Sequence, residues 1–257
     1  MMEINKIYLG DAYELIKKVP DKSVDLIVTD PPYELSGYDS KLNHGLFKGR
    51  TGYQYVTEIN DNKLDKGINL AILDEFVRVL KHIYIYIYCN KEQVINYLDY
   101  FVKNKKCNWE LLIWGKKNPP PFTCGHYLKD KEYCLLFWES GAKINGTYKT
   151  LRTVYLTDLN TEDKKNYQHP TIKPIEMVKN LIINSTCENA LVLDPFSGSG
   201  TTAAACKETN RNFIGFEINE EYYKKSIDRL NGVNQKGQMD LFNQVEQLDL
   251  FEGKVEK

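Results

Sequence analysis

The chain has 257 residues, 42% of them apolar and 27% charged, with a formal net charge of −1. This suits one sizeable folded domain and excludes a protein that holds a polyanion through overall charge, so any such contact must come from local patches. No apolar run reaches the length of a membrane span and the amino terminus lacks a signal-peptide layout, so a cytoplasmic protein is expected.

Ile4 to Leu9 reads as a short strand ending at Gly10-Asp11, with a helix from Ala12 to Lys18 that closes at Pro20. Asp11 on this strand-to-helix turn either caps the helix or holds a ligand's amino group. Val24 to Thr29 reads as a buried strand, and the following Asp30-Pro31-Pro32-Tyr33 stops it. Asp30 thus falls at a strand's carboxyl end, where open α/β sheets place ligands. The two prolines stiffen the backbone and supply no N–H. A carboxylate, the fixed carbonyl of Pro31 and a neighbouring aromatic ring suit an amino group attached to a flat base; a plain structural turn is the alternative.

The polar stretch near 34–68 interleaves Lys41, His44, Lys48 and Arg50 with aromatic residues. It reads either as a nucleic-acid contact or as a solvated loop. Asn69 to Lys81 has helical spacing, His82 to Cys89 alternates isoleucine and tyrosine as a strand, and Gln93 to Val102 is the next helix. Strands over Trp109–Trp114 and Glu132–Trp138 flank a proline run and predict an antiparallel hairpin at the sheet edge. Lys116 and Lys117 beside that run are candidates for phosphate contact. A second polar insert, 139–168, has weak strand character around Val154–Leu156. His169-Pro170-Thr171-Ile172-Lys173-Pro174 then leads into a helix whose first residue is expected to be Pro174.

Ala190 to Leu193 is a further buried strand, followed by Asp194-Pro195-Phe196-Ser197-Gly198-Ser199-Gly200-Thr201-Thr202 and an alanine-rich helix. The glycines permit a tight turn and close backbone approach to a ligand. Phe213 to Phe216 is the next strand, with Glu217 at its end, the position of a ribose-binding acid in Rossmann-type folds. The third glycine of a dinucleotide loop is missing, and Asp194 would repel a pyrophosphate. S-adenosylmethionine fits better, with a ribose for Glu217 and an ammonium for Asp194.

These motifs, in this order, resemble those of the beta-class amino methyltransferases of DNA, in which the catalytic motif precedes the cofactor motif. Asp30 to Tyr33 is similar to the catalytic DPPY, Asp194 to Thr202 to the FxGxG cofactor element, and His169 to Pro174 to the HPTxKP element. The resemblance implies a Rossmann-like α/β fold, a mostly parallel sheet with circularly permuted motif order, and a catalytic domain over 1–230. It implies that Asp30, Pro31, Pro32 and Tyr33 hold and activate the target amine. Asp194, Phe196, Gly198, Ser199, Gly200, Thr201 and Thr202 would surround the methionine end of S-adenosylmethionine. Glu217 would take the ribose, Asp11 and Ala12 the adenine ring, and Thr171 and Lys173 the cofactor carboxylate. The expected substrate is double-stranded DNA methylated at adenine N6; cytosine N4, a protein glutamine amide, RNA, and a catalytically silent DNA-binding role are the alternatives.

None of the six cysteines forms a CxxC pair, no zinc-site spacing is present, and no metal is expected. None follows a proline, which excludes the Pro-Cys nucleophile of carbon-5 cytosine methylation. Beyond Leu230 the composition becomes linker-like over 231–257. There Gln247-Leu248-Asp249-Leu250-Phe251 resembles the bacterial sliding-clamp-binding motif, although an amphipathic terminal helix fits the same residues. Whether a homodimer forms is left open.

Overall fold

Strand β3, Tyr84–Cys89, lies at the centre of the fold, and its alternating sequence explains the layers on either side. Successive side chains on a strand point to opposite faces. Ile85, Ile87 and Cys89 join one apolar cluster and Tyr84, Tyr86 and Tyr88 another. All six are buried, as in a strand covered by helices on both sides.

The computed structural model describes residues 2–34, 67–119, 127–158 and 172–232. Arg50, most of the first polar insert, residues 159–168 of the second, Cys124, His126, the His169-Pro170-Thr171 segment and the clamp-like pentapeptide lie outside them.

The remaining strands are β1 (Lys6–Leu9), β2 (Leu26–Thr29), β4 (Asn108–Lys116), β5 (Lys131–Trp138), β6 (Val154–Thr157), β7 (Leu191–Asp194) and β8 (Asn212–Glu217). They form an eight-stranded sheet in the order β1-β8-β7-β2-β3-β5-β4-β6. Neighbours from β1 to β3 are parallel, whereas β5 runs antiparallel to both β3 and β4. The α/β class and mostly parallel sheet agree with the expectation.

One face carries α1 (Ala12–Leu15), which continues as a 3-10 turn over Ile16–Lys18, then α2 (Ile72–Val79) and α3 (Val94–Leu98). A wider π-type turn, Asp99–Asn104, extends α3. The other face carries α4 (Ile175–Ser185), α5 (Thr201–Glu208) and α6 (Glu220–Leu230). On α2, Ile72, Leu73, Phe76 and Val79 are buried at the spacing of one helical face. On α4 the buried residues include Met177, Val178, Leu181 and Ile182.

Two expectations need correction. The hairpin of β4 and β5 is not the sheet edge, because β6 pairs in parallel with β4 outside it. Edge strands need little apolar patterning, and Val154 and Leu156 remain exposed, so β6 left only a weak trace in the sequence. Pro174 is the cap rather than the first residue of α4, with extended backbone at φ −60° and ψ 122°.

Parallel order brings the carboxyl ends of β1, β2, β7 and β8 to one edge, and Asp11, Asp30, Asp194 and Glu217 with them. Because β5 runs the other way, its first residues reach this edge too. Tyr133 is in register with Cys89 at the end of β3, and Glu132 with Trp114 near the end of β4. A residue at the start of one strand therefore meets residues at the ends of the others.

Candidate active site

Asp30 follows β2 and its side chain is 26% exposed, so its carboxylate is partly sunk but open. One oxygen accepts a hydrogen bond from the Tyr33 hydroxyl at 2.8 Å. The other receives the ammonium of Lys173. Lys173 also pairs with Glu132 at 3.0 Å, and Glu132 with Lys116 at 2.6 Å. Four charges of alternating sign, Asp30, Lys173, Glu132 and Lys116, thus form one chain at the sheet edge. The Tyr33 hydroxyl also lies 3.4 Å from Glu132.

Burial acts on Asp30, Glu132 and Lys173. It raises the Asp30 carboxyl above its usual range; Lys173 opposes that rise and Glu132 adds to it. Burial would raise Glu132 too, but Lys173 and Lys116 together hold it down at about 2. Lys173 is 5% exposed, which disfavours its charged form, yet Asp30 and Glu132 outweigh this and raise it. Its ammonium also sits 4.9 Å from the ring centroid of Tyr88 and 6.0 Å from that of Trp114.

The glycine turn lies across the neighbouring strand. Thr29 donates to Asp194 at 3.0 Å and the Phe196 amide donates to the same oxygen at 3.2 Å. Thr202 hydrogen-bonds this carboxyl as well, and Asp30 is near enough to repel it. Burial dominates and pushes Asp194 up to about 7. Among the described residues no cation pairs with it. A buried carboxylate with only neutral donors fits a positively charged ligand group such as an ammonium.

Gly200 has φ +74°, where a side chain would be strained, and a Cβ there would come 3.0 Å from Ser226 on α6. Gly198 donates its amide to Glu217 at 2.7 Å, and Asn219 donates to the second oxygen at 2.7 Å. Glu217 is buried, which raises its pKa against these backbone donors. Ser199, Thr201 and Thr202 are buried at the start of α5, while Phe196 is half-buried against the core.

Asp11 is exposed and accepts the Tyr13 amide at 2.8 Å, so it does cap α1. The Gly10 amide donates to the Glu217 carbonyl at 2.8 Å, which brings Asp11 and the buried Ala12 close to the glycine turn.

Two placements depart from the expectations. Lys173, assigned to a cofactor carboxylate, has its ammonium on Asp30 and Glu132. Lys116, assigned to phosphate, is paired with Glu132 and lies 5.1 Å from the Trp114 ring centroid, with its side chain 15% exposed. A cation neutralised inside the site has little charge left for a polyanion. Lys117 is exposed and stays available. Sequence reasoning also missed Glu132 and Arg229. Arg229 is buried and donates to Thr201 at 2.8 Å, which ties α6 to the glycine turn. Neither residue lies in a motif, and only the pairing of β5 and the docking of α6 bring them in.

Residues 24–228 match the family described as DNA methylase of the N6/N4 type. The chain belongs to that family. It is a DNA methyltransferase of the class that modifies exocyclic amino groups. It is 28% identical over 249 residues to the type II methyltransferase M2.MboI of Moraxella bovis, covering 88% of each chain. It is 30% identical to M.HinfI of Haemophilus influenzae over 90% of this chain and 69% of that one. Among solved structures, M1.HpyAVI in complex with SAM superposes with a TM-score of 0.64 at 28% identity, covering 88% of this chain and 98% of that one. The cytosine-N4-specific PvuII methyltransferase superposes at 0.66 with 19% identity over 89% and 87%, a likeness of fold alone.

Among the described residues no helix is long and apolar enough to cross a membrane.

Proposed function

We propose that this methyltransferase transfers a methyl group from S-adenosylmethionine to the N6 amino group of adenine in double-stranded DNA. One observation carries the reading: the partly open Asp30 carboxylate lies at the end of the strand beside Asp194, a buried acid with no cationic partner among the described residues. An amine acceptor and a pocket for a positively charged donor thus share one edge of the sheet. Adenine is preferred because the acceptor motif is Asp-Pro-Pro-Tyr. The cytosine N4 amine would suit the same pair of acceptors.

Bound S-adenosylmethionine supplies an electrophilic methyl group. The chain's own residues do the rest. Asp30 and the Pro31 carbonyl accept the two N–H groups of the target and draw electron density onto a nitrogen otherwise delocalised into its ring. Pro32 holds that carbonyl rigid, and the Tyr33 ring stacks on the base, a contact worth about 1–3 kcal/mol in single-strand binders. Asp194 takes the donor's ammonium, with Phe196, Gly198, Ser199, Gly200, Thr201 and Thr202 around it. Glu217 takes the ribose hydroxyls, and Asp11 and Ala12 border the adenine. Unstacking the target costs a few kcal/mol, which stacking and the hydrogen bonds at Asp30 offset. Rate then comes from positioning and fixed dipoles.

The experiment is expression in a methylation-free host followed by single-molecule sequencing. N6-methyladenine in a defined sequence context is expected, and its absence from cells carrying Asp30→Ala. N4-methylcytosine instead would move the reading to the cytosine alternative, and near-normal methylation by the mutant would refute the role of Asp30.

A further inference from the structure

Glu132 and Lys116 belong to no motif, yet both end at the acceptor carboxylate through Lys173. We infer that Glu132, backed by Lys116, is a positioning residue that shares the charge of Lys173 and thereby frees Asp30 to take up the proton released in methyl transfer. The inference rests on the functional reading above.

The reaction needs such a proton acceptor. The nitrogen lone pair becomes the new N–C bond, and the pair that held the methyl leaves with the donor sulfur. The nitrogen then carries a positive charge, which it loses when one N–H proton moves to a carboxylate oxygen of Asp30 and the bonding pair stays on nitrogen. Asp30 afterwards releases the proton to water through its exposed side.

A lysine paired with Asp30 alone would oppose this. Protonating Asp30 would leave Lys173, 5% exposed, as a buried cation without a counter-charge, a costly state. Glu132 at 3.0 Å supplies that counter-charge whether or not Asp30 is protonated. Lys116 at 2.6 Å keeps Glu132 ionised and limits its hold on Lys173. The Tyr33 hydroxyl, 2.8 Å from Asp30 and 3.4 Å from Glu132, lies between the two acids.

Other titratable groups also face Asp30: Asp194 on β7, Tyr88 and Cys89 on β3, Cys134 on β5 and Tyr97 on α3. Burial raises these thiols and phenols, Cys89 to about 12, so they remain neutral during turnover. Asp194 is pushed up to about 7 chiefly by its own burial, against hydrogen bonds from Thr202, Phe196 and Thr29. A difference between Glu132 variants therefore reports on Asp30.

The test uses the full chain, unmethylated genomic DNA and saturating S-adenosylmethionine with a tritiated methyl group, and reads the single-turnover rate against pH. E132Q removes a charge that raises the Asp30 pKa. It is expected to move the acid limb to lower pH by about half a unit or more and to lower the plateau rate about tenfold, with cofactor affinity by calorimetry unchanged. K116M strengthens the hold of Glu132 on Lys173 and is expected to move the acid limb the opposite way, while K116R restores the wild-type profile. Shifts in the same direction, or an unmoved acid limb in both variants, overturn the inference. Should E132Q fail to fold, K116M decides alone, and an unmoved or downward-shifted limb overturns it. A wild-type chain that methylates no DNA overturns the functional reading and this inference with it; the other failures leave wild-type turnover intact.

Discussion

The hydroxyl of Thr29 donates to the carboxyl of Asp194 at 3.0 Å, inside the sheet and out of reach of solvent. This bond joins the last residue of β2, which leads to Asp30, to the last residue of β7, which leads into the glycine turn. On the proposed function, the two halves of the reaction are thereby held in one register, and register decides whether an in-line transfer is reachable.

Thr29→Val keeps the strand's shape and removes that donor. Asp194 loses one of the groups that favour its ionised form, so its pKa rises further. The expected result is a stability loss of about 1–2 kcal/mol in urea unfolding and a several-fold weaker cofactor affinity near neutral pH. Unchanged affinity would show that the bond has no part in cofactor binding.

Asp194 itself gives a signed pH dependence. Its folded pKa of about 7 lies above the ordinary carboxyl value, so the folded state holds a proton that the unfolded chain has lost. Stability from this group is present below the unfolded value and is lost as pH rises through about 7. A cationic ligand needs the ionised form, so cofactor affinity should fall about tenfold per pH unit below that point. Asp194→Asn is expected to raise the melting temperature of the free protein above pH 7 and to abolish cofactor binding, both measurable by thermal shift with and without S-adenosylmethionine. A variant less stable than wild type above pH 7 would count against this account.

Gly215 on β8 tests how tightly the glycine turn presses on the sheet. A Cβ there would meet the Ser197 hydroxyl oxygen at 2.3 Å and Ile7 at 3.1 Å. Gly215→Ala should therefore displace the turn, cost about 1–3 kcal/mol and weaken cofactor binding. Ser197→Ala in the same chain removes the clashing atom, so a double-mutant cycle should show partial rescue. Strict additivity would place the strain elsewhere.

The tail pentapeptide Gln247 to Phe251 yields a binding prediction. Full-length chain is expected to bind purified bacterial sliding clamp, and Leu250/Phe251→Ala to weaken that binding at least about tenfold, since paired apolar anchors carry most of such an interaction. Equal binding of both proteins, read by surface plasmon resonance, would exclude the motif.

Linear order alone determined the parts that a chain must write locally. Asp30 is legible because a buried strand stopped by two prolines can only present the residue at its end, and the glycine turn because close approach and φ +74° at Gly200 need glycine. The acid at Glu217 follows from its place one strand further on. Tertiary structure decided the partners of Asp30. Lys173 is 143 residues away from it, and Glu132 comes to the same edge only because β5 runs against its neighbours. Lys116 could be read as a phosphate contact because a lysine beside a proline run looks solvated until β4 pairs with β5 and closes it onto Glu132. Charge compensation in a buried site depends on distance in space, and sequence spacing carries that distance only within one element or across one turn.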